Sequence, residues 1–147
     1  MSEEEDKQRR RMQAAQKRRQ ARDLEEQRTV IQGKKAKLEA KIEKLEKAKQ
    51  EITAAITSVS GFSKGLSSLK DAGSGSFQGD RKDKYDKKVG DVEKTLTAYE
   101  KGHTDNVSKI DKKIQDLKED LQRVSMSIGA LDVRIGALDA AAAQLES

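Results

Sequence analysis

From Leu24 an apolar residue returns at every seventh position: Leu24, Ile31, Leu38, Leu45, Ile52, Val59 and Leu66. A second row, offset by three to four residues, is filled by Ile42, Ile56, Phe62 and Leu69 and broken by Lys35 and Lys49. A heptad sustained over this length predicts a helix over residues 24–70 with one apolar seam. A longer stripe follows in residues 80–146. It reads Tyr85, Val89, Val92, Leu96, Tyr99, His103, Val107, Ile110, Ile114, Leu117, Leu121, Val124, Ile128, Leu131, Ile135, Leu138, Ala142 and Leu145. Steps of three and four alternate, except for two successive fours at His103. That break is a stutter, which predicts local unwinding of the supercoil.

Residues 71–79 separate the two stripes. Gly73, Gly75 and Gly79, with Ser74 and Ser76, let the backbone reverse where a Cβ would clash. Asp80 is placed to cap the second helix, and Asp83 in its first turn suits the helix dipole. The stripes also pair antiparallel about this point. Leu66 falls opposite Tyr85, Val59 opposite Val92 and Ile52 opposite Tyr99. One residue further along the register, Leu45 meets Val107, Leu38 meets Ile114, Ile31 meets Leu121 and Leu24 meets Ile128. The expected fold is therefore all-α: a long antiparallel coiled-coil hairpin with a Gly/Ser-rich hinge. Its first helix covers 24–70, its hinge 71–79 and its second helix 80–146, with a basic polar arm at 1–23.

That arm consists of good helix formers, with Met12 and scattered Ala as its apolar side chains and no stripe to bury. Extending the register past Leu24 brings Leu131 opposite Gln20, Ile135 near Gln16, Leu138 near Gln13 and Leu145 near Asp6. The second helix would then end in an apolar stripe without an intramolecular partner. Ile128, Leu131, Ile135, Leu138 and Leu145 are accordingly candidates for binding another helix. The same segment contains a copied heptad, Ile128-Gly-Ala-Leu-Asp-Val-Arg and Ile135-Gly-Ala-Leu-Asp-Ala-Ala, which sets Gly and Ala beside the seam.

Composition narrows the classes. Only 33% of the 147 residues are hydrophobic and 39% are charged, so a wide globular core is excluded and a narrow seam is not. Pro is absent, which suits long helices. Cys is absent too, which removes disulfides and thiol chemistry. No apolar run approaches the roughly 20 residues of a membrane span, and the start, Met-Ser-Glu-Glu-Glu-Asp, does not read as a Sec signal peptide.

The net charge of +5 is concentrated in Lys7, Arg9, Arg10, Arg11, Lys17, Arg18, Arg19 and Arg22, with no acidic residue among them. This cluster is a candidate contact for an anionic ligand. It has no aromatic side chain for base stacking, so nucleic acid is not the expected partner and any such binding would be non-specific. The commonest use of such a run is a solvated helical face. His103, the single histidine, has no nucleophile or paired acid at catalytic spacing and reads as a seam residue. Asp80, Asp83 and Asp86 lack the spacing of a calcium loop and are interleaved with Lys. No phosphate loop or zinc-ligand pattern occurs. The reading is a non-enzymatic chain with no metal and no cofactor.

At the hinge, Phe77-Gln78-Gly79 gives an aromatic-x-Gly step, followed by Asp80-Arg-Lys-Asp-Lys-Tyr85-Asp86. This resembles the WXG-like hairpin proteins of type VII secretion, in which an aromatic and a Gly mark the turn. The longer pattern resembles the YwqH-like partner proteins of LXG toxins in Gram-positive bacteria. Residues 41–52 are similar to their first helix and 107–124 to their second, and the resemblance covers about residues 30–130. It implies a targeting factor or chaperone that binds the helical N-terminal region of a secreted toxin, with a second small helical partner or a second copy left open. It implies Phe77, Gly79 and Tyr85 as recognition residues. It also implies a cytoplasmic protein, with co-export by type VII secretion left open. The rival reading is a structural coiled coil associated with nucleic acid through the basic arm.

Overall fold

The computed structural model describes residues 2–72 and 79–147. It contains two helices, α1 (Glu3–Ala72) and α2 (Asp80–Glu146), and no strand among the described residues. The helices pack against each other as a hairpin.

Helix α1 begins at a reciprocal cap that the sequence reading passed over. Glu5 N donates to Ser2 Oγ at 3.3 Å, and Ser2 N donates to Glu5 Oε2 at 3.2 Å. This is the Ser-x-x-Glu capping box, which satisfies two of the free amides at a helix start. Glu3, Glu4, Glu5 and Asp6 add the negative charge that the N-terminal dipole favours. At α2 the cap sits one residue earlier than expected. Gly79, with φ of 88°, accepts the first helical bond from Asp83 N at 3.1 Å, and Asp80 is already in the helix. A left-handed φ at this point suits Gly, which has no Cβ to clash.

The chain divides into two compact units, one formed by residues 1–42 and 116–147 and the other by 43–115. In the first, Leu24, Ile42, Leu117 and Leu131 are buried, together with Ala14, Ala21 and Ala142. The expectation that the basic arm has nothing to bury is corrected here. Ala14 and Ala21 are each 2% exposed. They extend the row Arg28, Lys35, Ile42 backwards by whole heptads, and Lys17 extends the row of Leu24. The first helix thus continues its seam with Ala instead of Leu.

In the 43–115 unit the buried residues are Val89 and Ile114, with Leu45, Ile52, Ile56, Val59, Leu66, Leu96, Val107 and Ile110 half-buried. The expected stutter is not there. The covered face of α2 runs through Lys82, Asp86, Val89, Glu93, Leu96, Glu100, His103, Val107, Ile110 and Ile114, a regular alternation of four and three. Val92 and Tyr99, expected in the seam, are 42% and 46% exposed, and Glu93 and Glu100 hold the seam positions instead. Phe62 is likewise 59% exposed, while Ser63, one residue on and seven after Ile56, is half-buried. A constant phase avoids the local unwinding of the supercoil that a stutter imposes. Two carboxylates at half-buried positions can still reach water, so the phase is kept and the apolar side chains sit beside the seam.

Candidate partner-binding surfaces

Two charged residues in the α1 seam row, Arg28 and Lys49, are met by acids on α2, whereas Lys35 pairs with Glu39 of its own helix at 4.0 Å. Lys49 Nζ lies 2.7 Å from Asp111 Oδ1, and Arg28 is ion-paired with Asp132. The Arg28 Nε–H makes no directed hydrogen bond, so this is a charge contact. Further out, Arg18 reaches both Asp139 at 3.5 Å and Glu146 at 3.0 Å. In an antiparallel pair each side chain leans toward its own helix's N-terminus, so such bridges join residues that are not level. The hydrogen bond from Arg18 is the main reason the Glu146 carboxyl is held below its ordinary value. The same bond and charge raise Arg18.

Arg18 is therefore engaged within the chain, as is Arg9, which pairs with Asp6 at 3.2 Å. Arg10, Arg11, Arg19 and Arg22 are exposed, and Lys17 is half-buried. At about 100° per residue these side chains spread over more than half of the helix circumference and do not gather on one stripe.

The terminal stripe of α2 is covered by α1. Leu131 is 7% exposed, and Ile128, Ile135, Leu138 and Leu145 are half-buried. Leu145 lines a surface groove with Asp6, Lys7 and Arg10, close to its expected level. Leu138 lines one with Gln20 and Leu24, further along α1 than Gln13. The stripe is not left open, because Ala14 and Ala21 allow α1 to continue alongside it. On the far side of α2, Met126 and Val133 are exposed, as are Gly129, Ala130, Gly136 and Ala137 of the copied heptad.

Near the hinge, Gly79 is exposed and Tyr85 is half-buried. Phe77 lies outside the described residues. Tyr85 lines a groove with Arg81, Lys84 and Lys88. Asp86 is ion-paired with Lys82 at 3.3 Å, and no cluster of metal-ligating side chains occurs among the described residues. His103 stacks edge-on against Tyr99, with ring centroids 4.1 Å apart at 87°, and its buried Nε2 has no hydrogen-bond partner. That setting is a seam position beside an aromatic ring.

Phe62, Val92 and Tyr99, expected in the seam, lie on the surface. The signal that identifies them is strict counting. Each immediately precedes a heptad position, as do Ala48, Ala55 and Tyr85.

No helix among the described residues is long and apolar enough to cross a membrane. Comparison with curated proteins gave no match. The profile of the YwqH-like family matches residues 19–140, and so takes in most of both helices and the residues between them. With a helical hairpin built on one continuous heptad phase, the chain belongs to the YwqH-like family.

Proposed function

We propose that the chain is a non-enzymatic targeting factor that binds the helical N-terminal region of an LXG-type toxin and presents it for type VII secretion. The observation that carries this reading is the family match over residues 19–140, taken with the resemblance of the Phe77-Gln78-Gly79 sequence and Tyr85 to partner proteins of such toxins. The architecture is consistent with it. Two helices with a narrow seam leave most of their surface to a third helix, and helix-on-helix addition is a common mode of recognition. In the basic arm Arg9 and Arg18 are engaged by carboxylates of the same chain, and no aromatic side chain is present there on which a base could stack.

The test is co-expression of the tagged chain with the N-terminal helical region of the LXG toxin encoded nearest to it. The two should co-purify as a stable complex, and deleting the chain should lower the amount of toxin in the medium while its cellular level holds. Failure to co-purify, together with unchanged secretion, would remove this function.

A further inference from the structure

The residues beside the seam in the 43–115 unit fall into a second pattern. Ala48, Ala55 and Phe62 recur every seven residues on α1, and Tyr85, Val92 and Tyr99 do so on α2. All six directly precede the same class of seam position. Turning one helix antiparallel to the other keeps its hand, so these two rows border the seam on the same side. The opposite side carries Thr53, Ser60, Thr97, Thr104 and Asp111 and is polar. One flank of this unit is therefore an apolar and aromatic groove along Ala48–Phe62 and Tyr85–Tyr99, and the α2 row turns polar beyond it at Asn106 and Lys113. Phe62, Val92 and Tyr99 are 59%, 42% and 46% exposed in it. The spacing of seven on both walls matches the stripe of a third helix laid along them.

The rim of the groove is basic. Outward of the rows lie Lys44, Arg81, Lys88 and Lys109 with Glu51, and beside Tyr85 the groove is lined by Arg81, Lys84, Lys87 and Lys88 against Asp91. Between them are Ser58, Gly65, Thr95 and Gly102. Among the described residues no neighbouring atom lies within 4 Å of where a Cβ would stand at Gly65 or Gly102, so their packing requires no glycine there. Small residues on both walls let a partner backbone come close. Two copies of the chain would bring like charges together at the rim, which disfavours self-association through this face.

We propose that the groove between Ala55–Phe62 and Tyr85–Val92–Tyr99 is the docking site for an amphipathic helix of a partner protein, with Asp or Glu flanking its apolar stripe. Under the function proposed above, on which the partner's identity rests, that helix belongs to the toxin's N-terminal region.

The experiment compares the full chain with its Val92→Glu/Tyr99→Glu variant. Both substitutions lie outside the seam, so circular dichroism should show the same helicity. If the variant loses helicity, Val92→Ser/Tyr99→Ser takes its place. Two probes are used: the toxin's N-terminal helical region, and a pair of synthetic amphipathic helices with one apolar face and either Glu or Lys flanks. The toxin region should bind the wild-type chain and lose at least about a hundredfold in affinity for the variant. The Glu-flanked peptide should bind at least about tenfold tighter than the Lys-flanked one at low salt.

Equal binding of the toxin region to wild type and variant would overturn the site and leave the function standing. No toxin binding to wild type, with the Glu-flanked peptide still discriminating wild type from variant, would keep the site and remove the toxin. Equal binding of both peptides, or a wild-type dimer that the variant abolishes, would overturn the proposal. So would binding of anionic phosphatidylserine vesicles that the variant abolishes in place of peptide binding.

Discussion

Lys49 and Asp111 meet across the 43–115 unit at 2.7 Å, although Lys49 stands where the heptad calls for an apolar side chain. Their side chains are 41% and 50% exposed, so water screens the pair and it adds little stability. A polar residue at a seam position serves instead to hold one alignment of the helices against its alternatives.

Replacing that residue separates alignment from stability. Lys49→Ile should raise the stability of the fold by about 1 kcal/mol, through apolar burial at the seam. Asp111 is exposed enough to remain solvated without its partner. Thermal and urea unfolding read the gain. A fall in the midpoint would show that the ion pair contributes more than its exposure implies.

The unbroken phase of α2 makes an opposite pair of expectations for adjacent residues. Glu100→Leu fills a seam position and should stabilise by about 1–2 kcal/mol. Tyr99→Ala removes a side chain beside the seam and should cost about 1 kcal/mol or less, mostly its edge contact with His103. Under a stutter at His103 the ranking would reverse. Urea midpoints of the two variants decide.

Ala21 is the sharpest probe of the first helix's beginning. Ala21→Glu places a charge at a position now 2% exposed and should destabilise by about 2–4 kcal/mol. Met12→Glu, on the open face of the same helix, should be neutral. Hydrogen exchange would show the loss of protection in residues 14–24 and 131–145 for the first variant only.

The Arg18–Glu146 contact predicts a pH effect of known sign. Because the folded carboxyl titrates below its ordinary value, its contribution is fully present above the unfolded pKa. It is lost as pH falls through the folded one. The raised Arg18 keeps its contribution everywhere below its own unfolded value, so it adds no pH dependence between neutral and acid pH. Acidification through the carboxylate range should loosen the ends of α1 and α2 that meet there, and Glu146→Gln should remove that dependence. NMR titration of the Glu146 side chain, with and without Arg18→Ala, measures both parts.

The helices, their antiparallel sense and the seam from Leu24 to Leu66 were legible because Leu, Ile and Val mark the heptad without ambiguity. The rest was hidden where residue type and position disagree. Ala14 and Ala21 carry the seam but look like generic helix formers. Glu93 and Glu100 occupy seam positions while Val92 and Tyr99 beside them look better suited, so the apolar reading followed the wrong neighbours by one residue. The same one-residue error placed Phe62 in the seam. Half-buried positions in a two-helix pair tolerate a carboxylate, and only a strict count of sevens separates them from the flank. The partner surface suggested by the end of α2 rested on the arm having nothing to bury, and two buried alanines remove that premise.

The regular phase of α2 also governs how a chain of this kind can vary. One residue inserted after Ser125 would turn everything beyond it by about 100°. Ala130, Arg134, Ala137 and Ala141 would arrive where Leu131, Ile135, Leu138 and Ala142 now sit. Seven inserted residues would leave every later side chain on its own face. The copied heptad at Ile128 and Ile135 has the form of such an addition. Length changes in multiples of seven are therefore the ones this hairpin can absorb. Single-residue insertions or deletions in α2 should be tolerated only in its last turn.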